Sequence, residues 1–574
     1  MNIAAPWWCW KGNEKLLPQS TPRTQTGLRG ERILKNEGTG MKVATAEIMR
    51  KLDRRAIGEF GVPGMVLMEN AARGTVQAMF RHFPDLPTRR VGILAGRGNN
   101  GGDALAIARY LLNREVACQV YLLAGREELQ GDAATNLEIL GRMGGQIVEI
   151  RNQQAWESQQ EKMAVHDLWV DGIFGTGLNA PVKGFFRTVI DGVNSLGRPV
   201  VAIDIPSGLD ADSGQVLGTC IQACVTVTFG LAKRGLLVHP GVQYCGRLII
   251  VDISLPRPAI EAERLKDHLI EGSELTPLLL PRNPDGHKGD YGHLLVLSGS
   301  PGKTGAAAMV CEAALRVGTG LITLGIPKSL NALMEVKLTE PMTEPLPETR
   351  DQTLSLSARP RIKELSERKN ALAIGPGLSL HPETARLIQW IVHNTKLPAV
   401  IDADGLTALA GKISSLGKNR GNLILTPHPG EMARLLRTTV PEIQKNRIEV
   451  ARSFAREKAV VVVLKGARSI VAGPEGDIYI NPTGNPGMAS GGMGDVLTGM
   501  VGGFLAQGFS PLEAAKLGVY LHGLVGDFVA YRRGERGMGA TDLIRETPRM
   551  LRALAEGCGQ VDDFSFPLRM ESSY

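Results

Sequence analysis

The sequence predicts an α/β protein with two domains, each built on a parallel sheet that helices cover on both faces. Its 574 residues exceed what one hydrophobic core usually organises. Apolar strands recur at intervals of roughly 30 residues and alternate with helical segments, which is the rhythm of βαβ units in parallel sheets. The 69 glycines supply the many tight strand-to-helix turns that such a chain requires.

The first half shows this rhythm clearly. Apolar runs that end in turn residues predict strands at 90–96, 118–125, 166–175, 198–208 and 224–230. Helical patterns occupy 103–112 and 131–143 between them. Because these strands are apolar on both faces, we expect a parallel sheet with helices on each side.

The second half repeats the pattern after a segment, 254–290, that is rich in proline and charge. Its strands are predicted at 293–299, 320–327, 371–377, 398–405, 422–431 and 459–473. We therefore expect five parts in the chain, which are a disordered leader (1–40), a first domain (41–262), a linker (263–282), a second domain (283–557) and a polar tail (558–574).

Composition and charge exclude several classes of function. The formal net charge of +7 is small for this length, and no basic stretch alternates with aromatic residues, so we expect no nucleic-acid partner. No apolar run approaches about 18 residues, so no membrane span is predicted. The seven cysteines are scattered and form no C-x-x-C pair, which favours a reducing compartment and a cytoplasmic location.

Three polar loops of the first half follow predicted strands. They are "GRGNNGGD" (96–103), "DGIFGTGLNAPV" (171–182) and "IDIPSGLDADSG" (203–214). Because open α/β sheets bind ligands beyond the carboxyl ends of their strands, we expect these loops to converge on one site. A plainer alternative for the first loop is a tight turn in which Asp103 caps the helix that follows.

The side chains in these loops indicate two kinds of chemistry. Asn100, Asp171 and Ser207 offer hard oxygen ligands without any thiol or imidazole, which suits an alkali or alkaline-earth cation. Asp204 is then the carboxylate that remains available for proton transfer.

Taken together, these loops resemble the epimerase domain of the NAD(P)H-hydrate repair enzymes over roughly residues 41–260. The resemblance implies a Rossmann-like three-layer fold that interconverts the R and S epimers of hydrated NADH and NADPH (NADHX and NADPHX). It implies a catalytic role for Asp204, and a potassium ion on Asn100, Asp171 and Ser207. The implied substrate contacts, besides Asp204, are Asn99, Asn100, Gly101, Gly102, Asp103, Gly175, Thr176, Gly177, Leu178, Asn179, Ala180 and Pro181.

In the second half, "LSGSPGKTGAA" (297–307) looks at first like a phosphate-binding P-loop. The Walker A pattern requires four residues between its first glycine and the Gly-Lys pair. Only two residues separate Gly299 from Gly302 here, so the loop is too short to wrap a phosphate in that way. We interpret it instead as a loop on the substrate side of the site.

Nucleotide binding is predicted from two other segments. "VVLKGARSIV" (462–471) presents a lysine at the end of a strand, and "NPGMASGGMGD" (485–495) places glycines at the start of a helix. Helix N-termini bind anions through unpaired amides and the helix dipole. The alternative for the glycines is a close helix–helix contact.

Two further side chains complete the predicted site of the second half. Asp495 ends the glycine loop, where it would serve as the base for a hydroxyl that attacks a nucleotide phosphate. "TPHPGEMARLL" (426–436) adds His428 and Glu431 after another strand, although a purely structural histidine is an equally simple interpretation.

Gly492-Met493-Gly494-Asp495 matches the G-x-G-D signature of ribokinase-like folds, and the second half resembles the ADP- or ATP-dependent NAD(P)H-hydrate dehydratase domain over about 280–555. The resemblance implies dehydration of the S epimer with ADP and a magnesium ion, with Asp495 as catalytic base. The implied substrate contacts, besides Asp495, are Ala306, Gly377 and His428. The implied nucleotide contacts are Lys465, Gly466, Ala467, Asn485, Gly487, Met488, Ala489, Ser490, Gly491, Gly492 and Gly494.

The two resemblances together imply a bifunctional metabolite repair enzyme, an isomerase joined to a lyase. In the second step the hydroxyl of the hydrate is phosphorylated and phosphate then leaves by elimination. The resemblance also implies a homo-oligomer, a tetramer. Two alternatives stay open at this point, a small-molecule kinase fused to a helper domain and a non-catalytic nucleotide sensor.

Overall fold

The computed structural model describes residues 41–416, 420–557 and 570–573. The predicted leader 1–40 therefore lies outside the described residues, as does most of the predicted polar tail. The strands of the first half and of the segment after it are β1 (Met41–Ala44), β2 (Val91–Ala95), β3 (Cys118–Leu122), β4 (Gln146–Glu149), β5 (Leu168–Gly172), β6 (Val200–Ile203), β7 (Val225–Phe229), β8 (Ala232–Lys233), β9 (Arg247–Val251) and β10 (Asp267–Leu269).

The remaining strands belong to the second half and to the end of the chain. They are β11 (His293–Leu297), β12 (Leu321–Pro327), β13 (Met342–Leu346), β14 (Ala371–Ile374), β15 (Ala399–Ile401), β16 (Leu423–Leu425), β17 (Val461–Leu464), β18 (Ile470–Ala472), β19 (Ile478–Ile480) and β20 (Met570–Ser573).

Helices follow most of the strands. Those before the second half are α1 (Ala46–Gly58), α2 (Gly64–His82), α3 (Asn99–Leu112), α4 (Gly131–Arg142), α5 (Gln153–Glu157), α6 (Gln160–Met163), α7 (Gly184–Ser195), α8 (Arg234–Leu237), α9 (Val242–Cys245), α10 (Arg257–Ala262) and α11 (Gly272–Leu275). Those of the second half are α12 (Thr304–Arg316), α13 (Asn331–Lys337), α14 (Arg359–Ser366), α15 (Pro382–Asn394), α16 (Ala403–Leu409), α17 (Pro429–Leu436), α18 (Val440–Lys445), α19 (Arg447–Lys458), α20 (Met493–Ala506), α21 (Pro511–Arg533) and α22 (Ala540–Ala555).

The sheet of the first half is parallel throughout, in the order β20–β9–β7–β6–β5–β2–β3–β4. Every residue of β2 and β5 is buried, as a sheet covered on both faces requires. The strand order reverses between β2 and β5, because the chain passes to β3 and β4 on one side before it returns to β5 and β6 on the other. The crevice beyond these two strands is where this kind of sheet binds ligands.

The sheet of the second half begins β13–β12–β11–β14–β15–β16–β17, and these neighbours are parallel. Its strand order reverses between β11 and β14, so a second crevice lies beyond their carboxyl ends. The α/β prediction for both halves is confirmed.

One predicted strand of the second half is wrong. The segment 459–473 forms two antiparallel strands, β17 and β18, and not one. The turn between them contains Gly466 at φ +146°, a backbone conformation that only glycine adopts without strain.

The sheet of the second half continues into strands from the first half. After β19 come β10, β1 and β8, with Asp267 opposite Ile478 and Val43 opposite Ala232. The segment expected as a linker thus contributes β10, and the first strand of the first half extends the sheet of the second.

Charged side chains reinforce this junction. Asp267 is 4% exposed and accepts hydrogen bonds from Arg234 of the first half and from Arg452 of the second, the latter at 2.5 Å. Arg234 also pairs with Glu449 at 3.0 Å. Because a buried carboxylate is costly without partners, the two arginines compensate for the burial of Asp267.

Helix α20 lies at the centre of the second half and is buried from Val496 to Ala506. A side chain at Gly499 would lie 2.3 Å from the carbonyl oxygen of Val310, so α20 and α12 pack with their backbones in close contact. Glycines that serve helix packing thus lie inside α20, and Gly492 at its N-cap is also closely packed, since a Cβ there would lie 2.7 Å from Met309 Sδ of α12. Within the described residues, no helix is long and apolar enough to span a membrane.

Candidate functional site

A cavity of about 860 Å³ opens at the crevice of the first sheet. Nine of the predicted substrate-site residues line it, and they are Asn99, Asn100, Asp103, Gly175, Thr176, Gly177, Leu178, Asn179 and Asp204. Gly101 and Gly102 lie behind its wall and pack instead, because a Cβ at Gly101 would lie 1.8 Å from the oxygen of Gly96. Ala180 and Pro181 follow Asn179 along the chain and are outside the cavity lining.

The helix at this cavity starts earlier than predicted. Gly98 is the N-cap of α3, which begins at Asn99, so the interpretation of Asp103 as the capping residue is wrong. Asp103 instead lies in the second turn, buried, with its carboxyl group lining the cavity. Burial raises the pKa of Asp103 well above its usual value, and the charges of Asp204 and Asp53 raise it further.

Asp204 follows β6 directly and adopts φ +64°, a conformation rare for residues other than glycine. Its backbone is fixed by an N–H that donates to Val227. Its carboxylate oxygen Oδ1 accepts hydrogen bonds from Lys233 Nζ at 2.6 Å and from Thr228 Oγ1 at 3.2 Å. The strained backbone therefore orients a carboxylate that is already paired with a cation.

Sequence reasoning missed two charged residues of this cavity. Lys233 lies on β8, whose strand pairing belongs to the other sheet, and Asp53 lies on α1. Burial raises the pKa of Asp53, Lys233 opposes that rise, and Asp204 adds to it. A charged residue inside the apolar run around "FGLAKRGLL" was the one available signal for Lys233, while nothing local marked Asp53.

Two of the predicted cation ligands, Asp171 and Ser207, lie outside the cavity lining, while the third, Asn100, belongs to it. Asp171 is fully buried and accepts hydrogen bonds from Ser207 N at 2.8 Å, Ser207 Oγ at 2.7 Å and Ile173 N at 3.2 Å. Burial raises the pKa of Asp171 to about 6. Among the described residues no lysine or arginine forms an ion pair with it.

The Asn100 side chain lies beside Gly175, 3.5 Å from where a Cβ at that residue would lie. Its Nδ2 atom is buried and has no hydrogen-bond partner in the described part of the chain. A carboxylate, a hydroxyl and an amide oxygen fit an alkali or alkaline-earth cation better than zinc. In the same part of the chain there is no cluster of three His, Cys, Asp or Glu side chains that could hold a metal ion.

In the second half, Asp495 lies in the first turn of α20, at the crevice of the second sheet. Burial raises its pKa to about 6, and the charge of Asp402 contributes in the same direction. Asp402 follows β15 and is 1% exposed. The site therefore places a second carboxylate near Asp495, and its charge disfavours the ionisation of Asp495.

Lys465 is the cation between these carboxylates. Its Nζ donates to Asp402 Oδ1 at 2.5 Å and lies 3.7 Å from Glu431 Oε2. Asp402 also accepts from Thr498 Oγ1 at 2.8 Å. A Cβ at Gly494 would lie 3.6 Å from both Lys465 Nζ and Asp402 Oδ2, so glycine there leaves the backbone open toward both charges.

Arg447 supports the turn that carries Lys465. This buried arginine donates hydrogen bonds to the carbonyl oxygens of Leu464 at 3.2 Å, Lys465 at 3.3 Å and Ala467 at 2.6 Å. The predicted nucleotide residues from Lys465 to Ala467 are thereby held from behind by a side chain that lies on α19. Sequence reasoning missed Arg447, because it is 18 residues away along the chain from Lys465.

The glycine loop is held in a similar way by Asp527. Its carboxylate accepts from Gly484 N at 2.9 Å and from Asn485 Nδ2 at 2.8 Å, and Asn485 Oδ1 in turn accepts from Gly487 N. The loop continues through Met488, Ala489, Ser490, Gly491 and Gly492, which is the N-cap of α20 at φ +90°. The Asn485 side chain is thus used inside the loop.

The predicted substrate residues of the second half lie at the same edge. A Cβ at Gly377 would lie 3.3 Å from Ala306 Cβ, so these two residues are neighbours. His428 is the N-cap of α17, where its Nδ1 accepts from Gly430 N at 3.0 Å and Glu431 N at 3.3 Å. This pattern places the ring proton on Nε2 and leaves a half-exposed side chain, so the structural interpretation of His428 is correct without excluding a substrate contact.

Comparison with known proteins finds a matching family for each half of the chain. The profile of the family described as NAD(P)H-hydrate dehydratase matches residues 294–549, and that of the YjeF-related protein N-terminus matches residues 64–235. Among solved structures, the ADP/ATP-dependent NAD(P)H-hydrate dehydratase from Bacillus subtilis co-crystallised with ATP and Mg²⁺ is 31% identical, with a TM-score of 0.43 over 49% of this chain and 97% of that one.

Two relatives match nearly the whole chain. The bifunctional NAD(P)H-hydrate repair enzyme Nnr of Moorella thermoacetica is 46% identical over 517 residues, which cover 90% of this chain and 98% of the relative. The enzyme of the same name from Thermofilum pendens is 39% identical, over 90% of this chain and 97% of that relative. The chain therefore belongs to the family of bifunctional NAD(P)H-hydrate repair enzymes.

Proposed function

We propose that this chain restores hydrated NADH and NADPH in two steps, with one half of the chain performing each step. The first half interconverts the R and S epimers, and the second dehydrates the S epimer at the expense of ADP. One observation carries the proposal. A single chain of this family presents two separate crevices, each with a partly buried carboxylate, Asp204 in one and Asp495 in the other.

In the first crevice, Asn99, Asn100, Asp103 and the loop 175–179 surround the hydrated ring. Asp204 exchanges a proton with the substrate, since it is the carboxylate that faces the cavity with a fixed orientation. Asn100, Asp171 and Ser207 would hold a potassium ion. When bound, this ion supplies the positive charge that buried Asp171 otherwise lacks, and so it fixes the loops on which 175–181 and Asp204 lie.

In the second crevice, Asp495 takes the proton of the substrate hydroxyl as that oxygen attacks the terminal phosphate of the nucleotide. Lys465 and the amides before α20 stabilise the phosphate charge. The phosphate ester then leaves as inorganic phosphate, a far better leaving group than hydroxide, and the ring double bond is restored. NADHX and ADP thus give NADH, AMP and phosphate.

ADP is the phosphoryl donor that the family resemblance implies, and it is proposed to bind with a magnesium ion. Glu431 and Asp404 offer carboxylate oxygens at this edge of the sheet, the ligand type that magnesium prefers. When bound, the ion neutralises phosphate charge. Lys465 performs the same task from the protein side.

We also propose a cytoplasmic homo-tetramer. Leu333, Val336 and Met342 are 60%, 90% and 44% exposed, and they lie beside β13, the edge strand of the second sheet. Apolar side chains grouped at a sheet edge are suited to contact with another subunit. Light scattering on the purified protein measures the assembly directly.

The two half-reactions can be tested separately by chromatography of the epimers. Without nucleotide, the protein should bring pure S hydrate to an R/S mixture faster than buffer does. With ADP, reduced nicotinamide, AMP and phosphate should appear in equal amounts. A stable phosphorylated hydrate would instead favour a small-molecule kinase, and no conversion at all would favour a nucleotide sensor.

A further inference from the structure

Lys233 is the most deeply buried cation at the cavity of the first half. Its side chain is 1% exposed, whereas that of Asp204 is 14% exposed. An ammonium group has three N–H donors. All three are used, toward Asp204 Oδ1 at 2.6 Å, Thr228 Oγ1 at 3.0 Å and the carbonyl oxygen of Phe229 at 2.8 Å. Lys233 therefore acts on a substrate only through Asp204.

The charge around this ion pair is unbalanced. Asp53, Asp103 and Asp204 all line the cavity, and Lys233 is the only buried cation among the described residues that line it. The other charged groups of the lining are the exposed Arg50, Arg97, Glu128 and Arg151 and the half-buried Asp132. Solvent screens exposed charges, so they compensate little for the carboxylates in the interior.

Lys233 is also held rigidly. It belongs to β8, which pairs with β1 so that Lys233 lies opposite Ala44 in the sheet of the second half. The next residue, Arg234, forms the buried ion pair with Asp267. The ammonium group thus approaches Asp204 from a strand that the second half of the chain anchors.

We propose that Lys233 is the positioning residue of the epimerase site, where its buried ammonium group holds the Asp204 carboxylate directed into the cavity while Asp53 and Asp103 face the same space. This inference rests on the proposed epimerase function. Asp204 would then exchange the proton of the substrate hydroxyl. An opposite charge nearby favours the charged form of a carboxyl group and like charges disfavour it, so loss of the ammonium group removes the one buried cation that Asp204 contacts.

The test replaces Lys233 with methionine, which keeps the length of the side chain and removes its charge. Epimerisation and ADP-dependent dehydration of pure S hydrate are measured on the same full-length sample. In K233M we expect kcat of epimerisation to fall by about 10- to 100-fold. This loss is smaller than the one expected when a general base itself is removed. KM should change less than about twofold, and the acid limb of the rate–pH profile should move to higher pH. Dehydration of the S hydrate should be unchanged.

Two variants serve as controls. Lys162, an exposed lysine of α6, replaced with methionine should leave both activities as in the wild type. K233R keeps the positive charge, so it should retain more epimerase activity than K233M and the wild-type acid limb. If K233M also loses dehydration activity, its fold is damaged. The epimerase activities of K233R and Thr228→Val are then compared with that of the wild type, since Thr228→Val removes one contact of the ammonium group.

The possible outcomes distinguish the role of Lys233 from the proposed epimerase function. Wild-type epimerisation in K233M, or equal losses in K233M and K233R with an unmoved acid limb, would overturn the role of Lys233. A wild-type protein that does not epimerise the hydrate would instead overturn the proposed function of the first half.

Discussion

Replacing Asp495 with asparagine should make the second half inactive and the protein more stable at neutral pH. Burial, followed by the charge of Asp402, raises the pKa of Asp495 to about 6 from an ordinary value of 3.8. A carboxyl group whose pKa is higher in the folded state binds protons more tightly there, so stability falls as pH rises from about 4 to about 6. D495N removes this penalty.

The expected gain in stability follows from the shift in the pKa of Asp495. About two pKa units correspond to roughly 3 kcal/mol at most, which partial exposure of Asp495 reduces to about 2 kcal/mol. We therefore expect D495N to unfold at a temperature a few degrees above the wild type at pH 7.5, and at the same temperature below about pH 4. Scanning calorimetry across this pH range measures the difference.

The same substitution should lower kcat of dehydration by about 10²- to 10⁴-fold, the usual contribution of a general base. In the wild type, dehydration should decline as pH falls through about 6, because Asp495 then becomes protonated. Epimerisation in D495N should be unaffected. A D495N protein that is less stable than the wild type at pH 7.5, or that still dehydrates the hydrate, would refute the reasoning.

Three other substitutions test separate parts of the structure. Asp171→Asn should remove any potassium dependence of epimerisation and lower its rate at least tenfold, as measured by rates in potassium and in sodium salt. An unchanged response to potassium would count against the cation site. Arg447→Met should raise KM for ADP several-fold, because the turn that carries Lys465 loses its support, while the thermal stability of the first half should change little. A change in kcat without a change in KM would argue against this supporting role. Asp267→Asn removes the buried carboxylate that Arg234 and Arg452 share and leaves them the exposed carboxylate of Glu449, so it should cost about 3–5 kcal/mol of stability in denaturant unfolding. A loss below about 1 kcal/mol would show that solvent reaches the junction.

Much of both sites was predictable because parallel strands all end at the same edge of a sheet. Asp204 and Asp171 directly follow or end buried strands, and Asp402 does so in the second half. A loop that follows such a strand lies at the crevice whatever its own conformation is. The family resemblance, drawn from these loops, is confirmed by relatives that match about nine-tenths of the chain.

The side chains behind the loops were not predictable, because nothing in the local sequence shows what packs against a loop. Lys233 is 29 residues from Asp204 along the chain, and Arg447 reaches its loop from a helix whose polar pattern indicates a solvent-exposed surface. The start of α3 was misplaced for a related reason. Aspartate is a common N-cap, but close backbone contact at Gly101 allows the helix to begin at Asn99.

The junction between the halves shows the same limit. Residues 267–269 form a strand of three residues inside a segment rich in proline and charge, too short to show any alternation. It is recognisable only through its partners, since Asp267 pairs with Ile478 in β19, a strand more than 200 residues later.

The central claim is that the two crevices of one chain complete a single repair. The most direct measurement is a progress curve for an R/S mixture of NADHX with excess ADP, followed by the absorbance of regained NADH. The wild type should convert the whole mixture, while Asp204→Asn should stop near the S fraction and continue only at the rate of spontaneous epimerisation. A wild-type curve that stops at the same level as that of Asp204→Asn would contradict the account.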